Sequence, residues 1–273
     1  MIKYLYMPGH TNATRALAAQ LDYKPSMFLA PGPPRDPDSW MPDHDTEEIR
    51  WLRLYKKLDA LIGTVFAGDP HDYTGPVTLN YESYGRMYRP LAPDGEPWPT
   101  TKWDSYHNHR DLCVRVKRRY RLRLSLWGLL HDIGYWGRPN HDLQGVALFN
   151  RLHEEVDYLT PSAYFRGASW DEEQARRNIE WSDTFGKPLD GQLNPWKRRR
   201  RGQPWVAMSQ EDIKLATEIC LEAHNMASVT LWSMVTKLNV DNEQAPMAPE
   251  WNSEHEIGRQ HDRCLRWISE VAG

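Results

Sequence analysis

Cysteine is scarce in this chain. Cys113, Cys220 and Cys264 are the three in 273 residues, and none stands in a Cys-x-x-Cys pair. That spacing excludes a disulfide framework and a thiolate zinc knuckle, and it fits a reducing cytoplasm. No apolar run approaches the roughly 20 residues needed to cross a bilayer, and residues 1–6 are too short and polar for a secretory leader. No membrane partner is therefore expected. Neither sign of charge dominates: 34 basic against 37 acidic side chains leave a net charge of −3, too little for a global field that would recruit nucleic acid. Phenylalanine is rare too, with five residues against thirteen Trp and thirteen Tyr. Trp and Tyr carry a polar atom on a large apolar body, so this bias points to half-buried surfaces and aromatic-lined clefts.

What is present divides the sequence into three parts. Residues 1–100 are Pro-rich and mixed, an extension of unassigned role. Helices are expected over 11–21 and 45–62, and a strand or hairpin over 76–88, where Val77, Leu79 and Tyr81 alternate with polar residues. Residues 101–245 are dominated by helix-period patterns, interrupted by a polar, aromatic, Arg-rich insertion over 158–205. Residues 246–273 carry one amphipathic helix, over 254–271. The expected fold class is mainly α, a helical bundle with a partly β N-terminal extension and a helical tail.

Within the middle part, His131 and Asp132 close an apolar run of Leu124, Leu126, Trp127, Leu129 and Leu130, and Gly134 stops it. Burying an imidazole and a carboxylate together is costly unless they are paired or bind a cation. Four more segments place a His or Asp on an apolar stripe. His109 precedes Leu112, Cys113, Val116 and Tyr120; His107 shares its face with Asp111 and Arg118 instead. His141 precedes Gly145, Leu148 and Leu152. His224 follows Ile213, Ala216, Thr217 and Cys220 in a helix that Ser209 would cap. Asp241 follows Leu231, Met234 and Leu238. A single such His is usually bonded to a backbone carbonyl. Together, one shared metal centre would satisfy them all. Nitrogen and carboxylate donors without thiolate suit Mn, Fe, Co, Zn or Mg. Six protein ligands suit two divalent ions bridged by Asp132.

The order His109, His131-Asp132, His141, His224, Asp241 resembles the HD-domain superfamily of metal-dependent phosphohydrolases. Leu130-His131-Asp132-Ile133-Gly134 looks like its core signature, and Asn239-Val240-Asp241-Asn242 like its late Asp element, with Asn242 where Lys is frequent. The resemblance covers residues 105–245. It implies an HD-type helical bundle and a phosphoric ester hydrolase acting on a nucleotide or similar small phosphorylated metabolite. His131 and Asp132 would be catalytic, with metal-activated water as nucleophile. Arg138 would hold phosphate, with the basic run 197–201 as the other candidate, and Tyr135, Trp136, Trp196 and Trp205 could stack a base. Two readings stand beside it: a di-iron oxygenase resembling myo-inositol oxygenase, and a non-catalytic HD-type binding module. A homo-oligomer is left open.

Overall fold

The computed structural model describes residues 1–6, 10–29, 47–63, 66, 68–79, 102–126, 153–163, 172–197, 204–232 and 253–273. The chain opens with strand β1 (Ile2–Tyr6). Helix α1 (Asn12–Gln20) follows, capped by Thr11, whose Oγ1 accepts from the Thr14 N–H at 3.2 Å. This is the helix expected over 11–21. Asp22, at φ 59°, turns the chain out of α1 into β2 (Tyr23–Leu29); Asp is among the few residues that tolerate this left-handed conformation.

Helix α2 (Glu47–Gly63) buries Trp51, Leu54, Leu58 and Ile62, a stripe at three- and four-residue spacing. Strand β3 (Pro76–Leu79), helix α3 (Lys102–Arg119) and strand β4 (Arg123–Leu126) come next. Leu112, Cys113, Val116 and Tyr120 are all buried, as their stripe predicts. The remaining elements are α4 (Glu172–Asp183), β5 (Leu189–Leu193), β6 (Trp196–Lys197), β7 (Val206–Ala207), α5 (Gln210–Glu222), β8 (Met226–Leu231) and α6 (Glu254–Ala272).

Two compact units are distinguished: Met1–Ser26 with Leu159–Gly273, and Met27–Tyr158. In the first, four strands pair in the order β2-β1-β8-β5, all parallel. Leu5, Leu193, Val229 and Leu231 on the strands pack against Ile213, Ala216 and Cys220 of α5 and against Cys264, Leu265 and Ile268 of α6. Gly191 marks the closest approach: a Cβ there would stand 2.5 Å from Cys220 Sγ. A short antiparallel ribbon, β6 with β7, sits beside the sheet in sequence. In the second unit, Met27–Leu29 of β2 pairs with β3, and β3 with β4, again all parallel. Asp157 closes this sheet's edge, its carboxyl accepting the Leu124 N–H at 2.9 Å and Lys117 Nζ at 2.6 Å.

The expected all-α bundle is therefore corrected. Residues 101–245, expected to be helical, contain β4, β5 and β8, and the stretch 158–205 carries α4 and the sheet strand β5. The cause lies in the signal itself. β4, β5 and β8 are short and mix apolar with polar residues, and periodicity over four to six residues does not separate such a strand from a turn of helix.

Candidate functional site

Partnered residues of parallel strands share a face, and successive residues alternate. In the first unit one face is apolar and covered by α5 and α6. The register Asp190↔Ser228, Gln192↔Thr230 and Tyr4↔Thr230 puts Tyr4, Asp190, Gln192, Ser228 and Thr230 together on the other, and all five are buried. Asp190, 4 % exposed, is their hub. Its Oδ1 accepts Ser228 Oγ at 2.8 Å and Thr230 Oγ1 at 2.9 Å. Its Oδ2 accepts Thr230 Oγ1 at 2.8 Å and Gln192 Nε2 at 2.7 Å. A buried carboxylate is tolerated only when its oxygens are so engaged. Donors on both oxygens fix the orientation of the Asp190 carboxyl group.

At the C-terminal ends of these strands a second polar group assembles. His10 stands four positions after β1, and Trp196 three positions after β5. His261 reaches them from α6. His10 Nδ1 lies 2.9 Å from His261 Nδ1, and Trp196 Nε1 donates to His261 Nε2 at 3.4 Å. The two imidazoles meet edge to face, with centroids 4.4 Å apart. His10 is 6 % exposed and His261 and Trp196 each 1 %. Burial pushes the His261 imidazole down to about 3. Burial, then the neighbouring His261 and the Arg15 charge, hold His10 well below the ordinary imidazole range. Asn194 braces the turn, its Oδ1 accepting the Trp196 N–H at 2.9 Å.

Of the residues singled out in the sequence, His131, Asp132, Tyr135, Trp136, Arg138, His141 and Asp241 lie outside the described residues, as do Arg198 to Arg201. His107 and His109 fall on α3, with their side chains outside the described part. His224 is described. Its helix is capped by Ser209 in a capping box and buries Ile213, Ala216, Thr217 and Cys220, as expected. The helix ends at Glu222, however, and His224 sits exposed in the turn beyond, its N–H donating to Asp183 Oδ2 at 2.9 Å. Lys197 pairs with Asp212, and Trp205 packs beside Trp196 and Ile257. Among the described residues, no group of three or more His, Cys, Asp or Glu could hold a metal ion. No described helix is long and apolar enough to cross a membrane.

Asp190, His10 and His261 are what the sequence reading missed. His261 could have been found: it shares the stripe of Ile257, Cys264, Leu265 and Ile268 on the expected C-terminal helix. Asp190 carried no such signal, because Ser228 and Thr230 reach it from β8, more than thirty residues away.

No protein family matches the sequence, and no curated protein matches it. Solved structures do. Bee venom hyaluronidase in complex with a hyaluronic acid tetramer superposes with a TM-score of 0.60 at 10% identity, covering 100% of both chains. The same enzyme in a monoclinic crystal gives 0.55 at 11% identity, over 96% of this chain and 99% of that one. A fungal β-1,4-galactanase gives 0.50 at 13% identity, over 97% of this chain and 87% of that one. These likenesses overturn the HD-domain resemblance. The phosphohydrolase, the oxygenase and the HD-type binding module all require a helical bundle, and the chain instead has parallel strands alternating with helices. What the chain shares with the bee venom and fungal enzymes is a fold, a parallel α/β architecture of the TIM-barrel type.

Proposed function

We propose that this chain is a glycoside hydrolase acting on a polysaccharide. The observation that carries the reading is the fold shared with bee venom hyaluronidase over 100% of both chains. A fold by itself does not specify chemistry, so the reading also draws on what stands at the strand ends. In barrel-type α/β enzymes the reacting groups sit at the C-terminal ends of the parallel strands. Here those ends carry His10, Asn194 and Trp196, and the sheet behind them carries the buried Asp190 network. Polar side chains interleaved with Trp and Tyr are suited to sugars, whose rings present both hydroxyls and apolar C–H faces.

Glycosidic cleavage requires a carboxylic acid that protonates the leaving oxygen and a second group on the other side of the bond. The test is release of reducing ends from a panel of neutral and acidic polysaccharides, including hyaluronan and β-1,4-galactan. At least one should be cleaved, with new reducing ends appearing in proportion to enzyme. Absence of cleavage across the panel by folded protein refutes the hydrolase reading.

A further inference from the structure

The hydrogen bonds around His261 fix where the protons of both imidazoles lie. An indole N–H can only donate, so His261 Nε2 accepts from Trp196 Nε1. A neutral imidazole carries one proton, and that of His261 must therefore sit on Nδ1. From there it points at His10 Nδ1, 2.9 Å away, which must accept. The proton of His10 is thereby placed on Nε2. That atom is buried and has no hydrogen-bond partner. Burying a donor with nothing to receive its proton is costly, and native proteins rarely leave one so.

A second unsatisfied donor lies nearby on the chain. Arg15 Nε is also buried without a partner, five residues beyond His10 and within the first turns of α1. Its charge adds, after burial and His261, to what holds the His10 imidazole low. Helix α1 also has no acidic side chain in its first turn, so the partial positive charge of its N-terminus is not offset by its own sequence. Its nine residues begin just after His10, at the C-terminal end of β1. Here, then, are two buried donors, one of them cationic, at a positive helix end. A neutral hydroxyl would satisfy one donor; a negatively charged oxygen group answers all of them.

We propose that His10 Nε2–H, the Arg15 guanidinium and the start of α1 bind a small oxyanion, the carboxylate or phosphate group of a ligand. Trp196 and His261 are positioning residues: their hydrogen-bond chain sets the tautomer that turns His10 into a donor. The site does not depend on the hydrolase reading, and its test reads no turnover.

The experiment is nitrogen-15 NMR of the full-length protein labelled at histidine, with His10→Gln used to assign the His10 signals. The His10 proton is expected on Nε2 and the His261 proton on Nδ1. Titration with inorganic phosphate, glucuronate and glucose should shift the His10 signals with one or both anions and leave them unmoved by glucose. A response to phosphate alone identifies a phosphate site, and to glucuronate alone a carboxylate site; both support the proposal. Arg15→Gln, at a half-buried position, should keep the His261 tautomer and weaken anion binding by about tenfold or more, the loss of one charge-assisted hydrogen bond. The proposal is overturned by a His10 proton on Nδ1. It is equally overturned by no response to either anion, by an equal response to glucose, or by unchanged affinity in Arg15→Gln.

Discussion

Truncating Asp190 to alanine should be among the most damaging single changes in the first unit, and the structure sets its scale. The residue is 4 % exposed and is bonded by Ser228, Thr230 and Gln192, all of them buried as well. Asp190→Ala removes the acceptor and leaves three buried donors facing a small void. An unsatisfied buried polar group costs about 1–3 kcal/mol. Part of that is recovered, because Ser and Thr hydroxyls can rotate to new acceptors and the Gln192 amide can turn. We therefore expect a net loss of about 3–5 kcal/mol, the range for breaking a buried polar network. Asp190→Asn keeps the volume and one acceptor oxygen, while its NH2 group meets hydroxyls that can accept; about 1–2 kcal/mol is expected there. Thr230→Val removes the one hydroxyl that touches both carboxyl oxygens and should fall between the two. Urea unfolding at neutral pH, followed by far-ultraviolet circular dichroism, measures all three on one scale. A loss under about 1 kcal/mol for Asp190→Ala, below the cost of a single orphaned group, would refute the view of Asp190 as a buried hub. So would an Asn variant as damaged as the Ala variant.

Two further outcomes follow from the same unit. His261 is neutral in the folded chain, its pKa pushed down to about 3 by burial, whereas an unfolded imidazole titrates near 6.5. Between those values the unfolded chain binds the extra proton, so stability should be complete above about pH 6.5 and fall as the pH drops toward 3; His261→Gln should flatten that part of the pH–stability curve, and an equally steep curve in the variant would contradict the assignment. Gly191→Ala should destabilise by about 1–3 kcal/mol, the usual cost of overpacking, because its Cβ would stand 2.5 Å from Cys220 Sγ. Adding Cys220→Ala should recover part of that loss in a double-mutant cycle, and strictly additive losses would show that the close approach is not the cause.

The sequence by itself determined the elements whose signals are local. The Ser209 cap bonds only three residues ahead, so α5 was legible at its start. The stripes of α3 and α6 repeat over several turns, long enough for a period of 3.6 to declare itself. The scarcity and spacing of cysteine likewise excluded a disulfide scaffold without any structure. Tertiary structure decided the rest. β4, β5 and β8 span only four to six residues each, and their apolar residues fit a buried strand as well as a buried helix turn. Only pairing with neighbours far along the chain made them a parallel sheet. His224 shows the same limit at a helix end: the stripe leading to it is buried, but the helix stops at Glu222 and leaves the imidazole exposed. The candidate site is made of residues that are distant in sequence. Asp190 meets Ser228 and Thr230 through the β5–β8 register, and His10 meets His261 across 251 positions because α1 and α6 pack on the same unit. Hydrophobic periodicity reports which side of an element is buried, not what lies opposite; the partners of a buried polar group come from register and packing, which the folded chain alone supplies.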